Sequence, residues 1–200
     1  MTLLSRRIHK STRSISSRVA GSLWSLRWMM DRRPKWGLIG REGVVGLPLV
    51  AGVDTAFVEA FVQADGTALQ IEASAFRRAL NDEPILQNLL LRYLEAMNSQ
   101  TAQTAACNGR DGLEQRLARW LLMAHDSADG DDLQITHEFL GLMLCVYRPS
   151  VSAVASRLQR AGIIRYGRGV ITVLDRGVLE ATVCDCYNVV KRRFASLLGS

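Results

Sequence analysis

Residues 135–174 read ITHEFLGLMLCVYRPSVSAVASRLQRAGIIRYGRGVITVL, and the order of patterns in this stretch decides the fold. Thr136 is placed to cap a short helix running to about Leu144, because its hydroxyl can accept from an orphan backbone N–H. Phe139, Leu140 and Met143 have the spacing of one buried helix face. Val146 is expected as the apolar plug of the turn that follows. Pro149 opens a second helix, where its missing N–H costs nothing. Val151, Val154, Ala155 and Leu158 recur at helical spacing and face inward. Arg148, Ser150, Ser152, Ala153, Ser156 and Arg157 are left outside, and no carboxylate lies among them. Gly162 is a helix stop. Two β-rich runs, Ile163–Tyr166 and Val170–Val173, flank Gly167-Arg168-Gly169, a hairpin signal.

Helix, tight turn, helix and basic hairpin in this order predict a winged helix-turn-helix. The second helix of such a pair enters the DNA major groove, and the hairpin reaches a neighbouring phosphate strand. The wing arginines Arg165 and Arg168 set it apart from a three-helix core fragment with an incidental hairpin.

Upstream, Leu86, Leu90, Tyr93, Met97, Gln100, Thr104 and Cys107 form a heptad seam, apolar at first and polar later. A helix over 84–107 spans roughly 36 Å at 1.5 Å per residue. That is longer than a small domain needs, so the seam is expected to pack on a second copy, the bland alternative being a helix lying on its own β domain. Asn108 to Gly112 reads as a helix stop and hinge. Leu113 to His125 is the first helix of the C-terminal domain, with Leu113, Leu117, Trp120, Leu121 and Ala124 on one face. Asp175 can cap a final helix through about Tyr187, ahead of Lys191-Arg192-Arg193 and a frayed end. Residues 37–80 are turn-punctuated, with strand candidates at 57–63 and 68–71 and a short helix at 74–80 that has Ser74 near its cap.

The net charge of +6 is unevenly placed. Residues 1–36 hold Arg6, Arg7, Lys10, Arg13, Arg18, Arg27, Arg32, Arg33 and Lys35 against Asp31 alone, a net +8 that leaves about −2 for the rest. Overall basicity is therefore no evidence for a DNA-binding domain, and a local patch must carry that case. The Arg- and Ser-rich start has a transit-peptide-like composition, but a basic, poorly ordered extension is the preferred reading. No apolar run reaches the length of a membrane span, and a cytoplasmic protein is expected. The glycines at 37–43 lack the Lys-Ser/Thr pair of a phosphate-binding loop. Cys107, Cys145, Cys184 and Cys186 contain no CxxC pair, and Cys184-Asp185-Cys186 is too short to be a ligand set by itself, so free thiols and no metal are expected. His125 is read as interacting with a helix dipole and His137 as exposed or close to phosphate. Neither has a nucleophile or carboxylate pair around it, and no enzyme is expected.

Leu113–Asp126, Leu133–Leu158, Ile163–Asp175 and the Cys184–Tyr187 tail resemble the CRP/FNR family of bacterial transcription regulators. Ile39–Pro48 resembles the second half of that family's cyclic-nucleotide-binding-like β-roll. The resemblance implies an α+β fold of four parts: a basic N-terminal extension or remnant over 1–36, a partial β-roll over 37–83, a dimerisation helix over 84–108 and a winged helix-turn-helix domain over 109–200. It implies a homodimer on double-stranded DNA, with RNA polymerase as a further candidate partner. It places Arg148, Pro149 and Ala153 at base-contacting positions and Thr136, Tyr147 and Ser150 at phosphate-contacting ones. Ser152, Arg157, Arg165 and Arg168 complete the expected DNA-binding set. Cys145 stands where the family often has glycine, so the turn must be made without the residue that most readily takes a positive φ. Pro149 and Ala153 cannot hydrogen-bond bases, which concentrates readout on Arg148. The phosphate cassette for a cyclic nucleotide and an N-terminal cysteine cluster for iron–sulfur sensing are both absent, so no cofactor is expected. With about 36 residues where the family has some 60–70, the β-roll is expected to be truncated. The alternatives are a β-roll that still senses a small ligand between Val44 and Val62, and an inactive partner that dimerises with full-length relatives.

Overall fold

A computed structural model describes residues 4–8, 18–19, 24–28, 35–40, 43–62 and 66–199. The described residues of the N-terminal half hold six strands: β1 (Leu4–Ile8), β2 (Arg18–Val19), β3 (Trp24–Trp28), β4 (Lys35–Ile39), β5 (Val58–Val62) and β6 (Gly66–Glu72). They make two three-stranded antiparallel sheets, ordered β1-β6-β2 and β4-β3-β5. The central β6 pairs Leu4 with Gln70 on one side and Arg18 with Glu72 on the other. The central β3 pairs Trp24 with Ile39 and with Val62. The strands expected at 57–63 and 68–71 are β5 and β6.

The expectation for residues 1–36 is corrected where strands lie in them, β4 starting at Lys35. β1, β2 and β3 lie there, and β3 is hydrogen-bonded on both edges, so the sheets are not confined to 37–83. Trp24, Leu26 and Trp28 do alternate with Ser25 and Arg27. The surrounding Arg and Ser dilute that period of two, and a strand's partners at distant positions are invisible locally. The rest of 1–34 lies outside the described residues, as do Arg41 and Glu42 of the glycine loop.

Helix α1 (Ala73–Asp82) follows β6 directly. Its N-cap is Glu72, with no side-chain cap bond, and Ser74 lies inside the helix instead of capping it. Helix α2 (Pro84–Arg110) opens on a proline, runs three residues beyond Cys107 and ends within the expected 108–112 stop, with Asp111 as its C-cap. Asn108 and Gly109 are too weak as breakers when the helix is packed along its length. Ile39, Val45, Leu47, Val62, Ile71, Phe76, Leu80, Leu90, Tyr93 and Met97 form one core between the sheets and these helices.

The C-terminal half holds α3 (Leu113–Asp126), β7 (Asp132–Leu133), α4 (His137–Leu144), α5 (Arg148–Arg160), β8 (Ile164–Gly167), β9 (Val170–Val173), α6 (Arg176–Thr182) and α7 (Cys186–Leu198). β7, β9 and β8 form a small antiparallel sheet. Leu117, Leu121, Leu140, Met143, Val151, Leu158, Ile164, Ile171 and Leu179 are fully or almost fully buried in a second core. Asp175 caps α6 by accepting from the Val178 N–H at 2.9 Å. The single final helix expected through Tyr187 is instead two, broken at 183–185, and the expected frayed end is α7. Its Phe194 and Leu198 pack on the first core, and Phe194 meets Tyr93 edge to face.

The seam of α2 is turned inward. Leu90, Tyr93, Met97, Gln100 and Cys107 are buried within the chain itself, and Leu86 and Thr104 are half-buried. Gln100 Oε1 accepts from the Leu38 N–H of β4 at 3.2 Å, and Thr104 Oγ1 accepts from Arg119 at 2.8 Å. The polar half of the seam thus serves β4 and α3. A heptad pattern identifies the face that is buried, not what buries it.

Candidate nucleic-acid interface

Helices α4 and α5 are bent 110° from one another, within the range of helix-turn-helix pairs. Thr136 caps α4 by accepting from the Phe139 N–H at 3.2 Å. Cys145 ends it in the left-handed conformation, φ 54° and ψ 42°, as the position requires. Its side chain is exposed, and the half-buried Val146 packs under the turn as the plug. Gly141 makes the close crossing possible: a Cβ there would meet the Val146 carbonyl oxygen at 2.9 Å and the Arg148 nitrogen at 3.4 Å. Gly162, at φ 74°, terminates α5, and the Ile163 N–H returns to the Leu158 carbonyl at 3.0 Å. That is the bond pattern of a glycine-closed helix end.

The inner face of α5 is Val151, Val154, Ala155 and Leu158, all buried. Pro149, Ala153, Ser156 and Arg160 therefore form its outermost ridge, and each is exposed. Arg148 and Ser150 flank the ridge, exposed, and Tyr147 at the N-cap is 86% exposed. No acidic residue lies in the first turn of α5. Two expected contacts are placed otherwise. Ser152 is half-buried, and its hydroxyl lies 3.0 Å from Nδ1 of His137. Arg157 is turned onto α3, where its Nε and a terminal nitrogen reach Glu114 Oε2 at 3.1 and 2.9 Å. Both residues sit on flanks of α5 that neighbouring helices reach. An acid-free helix face in sequence does not exclude a carboxylate from another element. Arg160, which follows Pro149, Ala153 and Ser156 at steps of four, three and four, is the base missing from the sequence-derived set.

The wing is held to this ridge by polar contacts. Gln159 Oε1 accepts from the Tyr166 N–H at 2.7 Å. The Tyr166 ring stacks on His137, with centroids 3.7 Å apart and planes 21° apart. His137 is buried, not exposed as expected, and its Nε2 has no partner among the described residues. Burial, helped by the nearby Arg148 charge, holds its pKa below the ordinary imidazole value. The hairpin turn is Arg168-Gly169, both at positive φ, 51° and 82°, as a two-residue hairpin demands. Arg148, Arg160, Arg165 and Arg168 are exposed and form no ion pair among the described residues, so one side of the domain carries unneutralised positive charge.

Residues 115–182 match the family model of the Crp-like helix-turn-helix domain. The fold as a whole is similar to solved CRP/FNR regulators. FixK2 from Bradyrhizobium japonicum superposes with a TM-score of 0.72 at 18% identity, covering 92% of this chain and 97% of that one. A CRP/FNR-family regulator from Thermus thermophilus gives 0.70 at 20% identity, over 90% and 97%. A putative CRP/FNR-family regulator from Eubacterium rectale gives 0.69 at 18%, over 90% and 89%. No curated protein matches the chain by sequence. These alignments run over nearly the whole length of the neighbours.

Where β4, α2, α3 and α7 meet lies a cavity of about 680 Å³, lined by Leu38, Val44, Leu90, Tyr93, Phe194 and Leu198 together with Arg119, Asp126 and Lys191. Of the segment 44–62 expected to hold any effector, only Val44 reaches it. No single helix among the described residues is long and apolar enough to cross a membrane.

Proposed function

We propose that the chain is a sequence-specific, DNA-binding transcription regulator of the CRP/FNR type. It works as a cytoplasmic homodimer and carries no catalytic activity. The observation that carries this is the exposed, acid-free ridge of α5 beside a wing whose arginines have no acidic partner among the described residues. Arg148, Arg165 and Arg168 dock on duplex DNA, with Thr136, Tyr147 and Ser150 against phosphates. Arg148 is the base reader, bidentate to a guanine, while Pro149 and Ala153 offer a flat apolar surface suited to a thymine methyl. Selection of bound duplexes from a random pool tests binding, specificity and half-site spacing together. With the selected operator, Arg148→Ala is expected to cost about 1–3 kcal/mol of specific binding by fluorescence anisotropy at fixed salt. An unchanged affinity removes Arg148 as the reader.

The twofold contact is placed on the side of α2 left outside. Leu91, Leu94, Asn98, Thr101 and Ala105 step by three and four along it; Leu91, Asn98 and Ala105 are exposed and the others half-buried. A second reading, ligand sensing, is favoured by the apolar cavity between the two halves, a size and lining that suit a small molecule. A thermal-shift screen with no ligand-dependent rise would count against it.

A further inference from the structure

Four potential ligands that are far apart in sequence meet where α2 ends. Cys107 and Asp111, one helical turn apart, converge with Cys184 and Cys186 from the break between α6 and α7. Their sulfur and carboxylate oxygen atoms all lie within 4.8 Å of one another. Cys107 Sγ and Cys184 Sγ are 3.8 Å apart, too far for a disulfide. Four ligands on tetrahedral zinc, with Zn–S near 2.3 Å, would place their sulfurs roughly 3.8 Å apart. The geometry points to a Cys3Asp site for a thiophilic divalent cation, Zn2+ as the best fit, formed by Cys107, Asp111, Cys184 and Cys186.

Further observations support the site. Its surroundings offer the contacts that metal thiolates use. Gln103 Nε2 donates to Cys186 Sγ at 2.9 Å and reaches Cys107 Sγ at 3.7 Å. Arg119 is 3% exposed, bonded to Thr104 on the same side of α2, and its Nε has no partner among the described residues. Three thiolates and a carboxylate around a dication carry a net charge of −2, which Arg119 and Arg110, the latter 3.7 Å from the Asp111 carboxylate, partly offset. Cys184 Sγ donates to Asp111 Oδ2 at 2.8 Å, so the ligand atoms already face one another. Thiolate-rich sets select zinc over the hard cations calcium and magnesium. Cys145 is outside the cluster. The spacing hid the site, since neither C-x3-D nor C-x-C holds a metal alone and Asp111 and Cys184 are 73 positions apart along the chain. A metal here would tie the end of α2, the Asp111-Gly112 junction and the start of α7 into one unit.

The full chain, reduced and metal-free under anaerobic conditions, is titrated with Co2+ and then Zn2+. The expected result is one equivalent bound per chain, with sulfur-to-cobalt charge-transfer absorption and the intense visible bands of tetrahedral cobalt, displaced by Zn2+. Cys184→Ser and Cys186→Ser each weaken the bands and lower Zn2+ affinity at least tenfold, while Cys145→Ser leaves them unchanged. Circular dichroism of each variant separates loss of the ligand from loss of the fold, and Asp111→Asn, a smaller change, weakens binding without unfolding. A fully reduced, folded chain that takes up no Co2+ with thiolate character overturns the site. So does a cobalt spectrum that survives Cys184→Ser. The titration is read without DNA, so its outcome is independent of the regulator function proposed above.

Discussion

Cys145 ends α4 at φ 54°, a conformation that costs a residue with a Cβ about 1–2 kcal/mol. Its side chain is exposed and contributes little packing that glycine would lose. Cys145→Gly is therefore expected to raise stability by about 0.5–1 kcal/mol, after the added flexibility of the unfolded chain is subtracted. The check is the urea midpoint, with the slope unchanged. Arg157 has the opposite problem: a good position but a competing partner. Glu114→Gln weakens the hold on the guanidinium and removes a negative charge from beside the proposed DNA-binding face. It should tighten binding at low salt and steepen the dependence of affinity on salt by about one phosphate contact, with little change in stability because an exposed pair contributes little. Equal salt slopes for the two proteins would mean that Arg157 never reaches the backbone. The backbone demand at Cys145 is legible through the resemblance, because the matching turn position often holds glycine. The fate of Arg157 is not, because Glu114 is 43 residues away.

At the scale of elements, the wing is coupled to the helix pair through His137. The stack with Tyr166 and the bond to Ser152 join α4, β8 and α5 at one buried imidazole. Its pKa is lower in the fold than in the unfolded chain. The unfolded state therefore binds the extra proton first, and stability falls as pH drops through about 6.5, the ordinary imidazole value. Above that range the contribution is fully present. Denaturation of the wild type and of His137→Gln at pH 7.5 and 5.5 isolates it: the wild type should lose more stability on acidification than the variant. Equal losses would assign the pH dependence elsewhere. The order helix, turn, helix, hairpin is readable because each piece is marked by its own caps and glycines. The burial of His137 is not, because a histidine in a first turn looks exposed until the hairpin, some thirty residues later, folds over it. The α2 seam is visible as a pattern, but its partner within the chain is not, since Leu38, Arg119 and Phe194 come from three distant elements.

At the scale of the whole molecule, α2 has two sides with different tasks. One side is consumed by the chain's own cores, so the proposed twofold contact falls to the other. Leu91 is 45% exposed there, at the start of a stripe that continues through Asn98 and Ala105. A pair of such helices would bury Leu91 and Leu94 near one end and match Asn98 with its twin, a pairing that fixes register at some cost in stability. The small Ala105 would let the two backbones stay close at the far end. Because paired half-sites require a twofold protein, oligomeric state and DNA affinity should fall together when this stripe is charged. Leu91→Glu is expected to shift sedimentation from dimer to monomer. Affinity for a full palindromic site should drop by at least tenfold, while the weaker affinity for a single half-site is kept. Met97 lies on the buried side, so Met97→Ala should lower stability by about 2–5 kcal/mol as a cavity in the core and leave the folded protein's dimerisation unchanged. A Leu91→Glu chain that sediments as the wild-type dimer would place the twofold contact away from this side of α2.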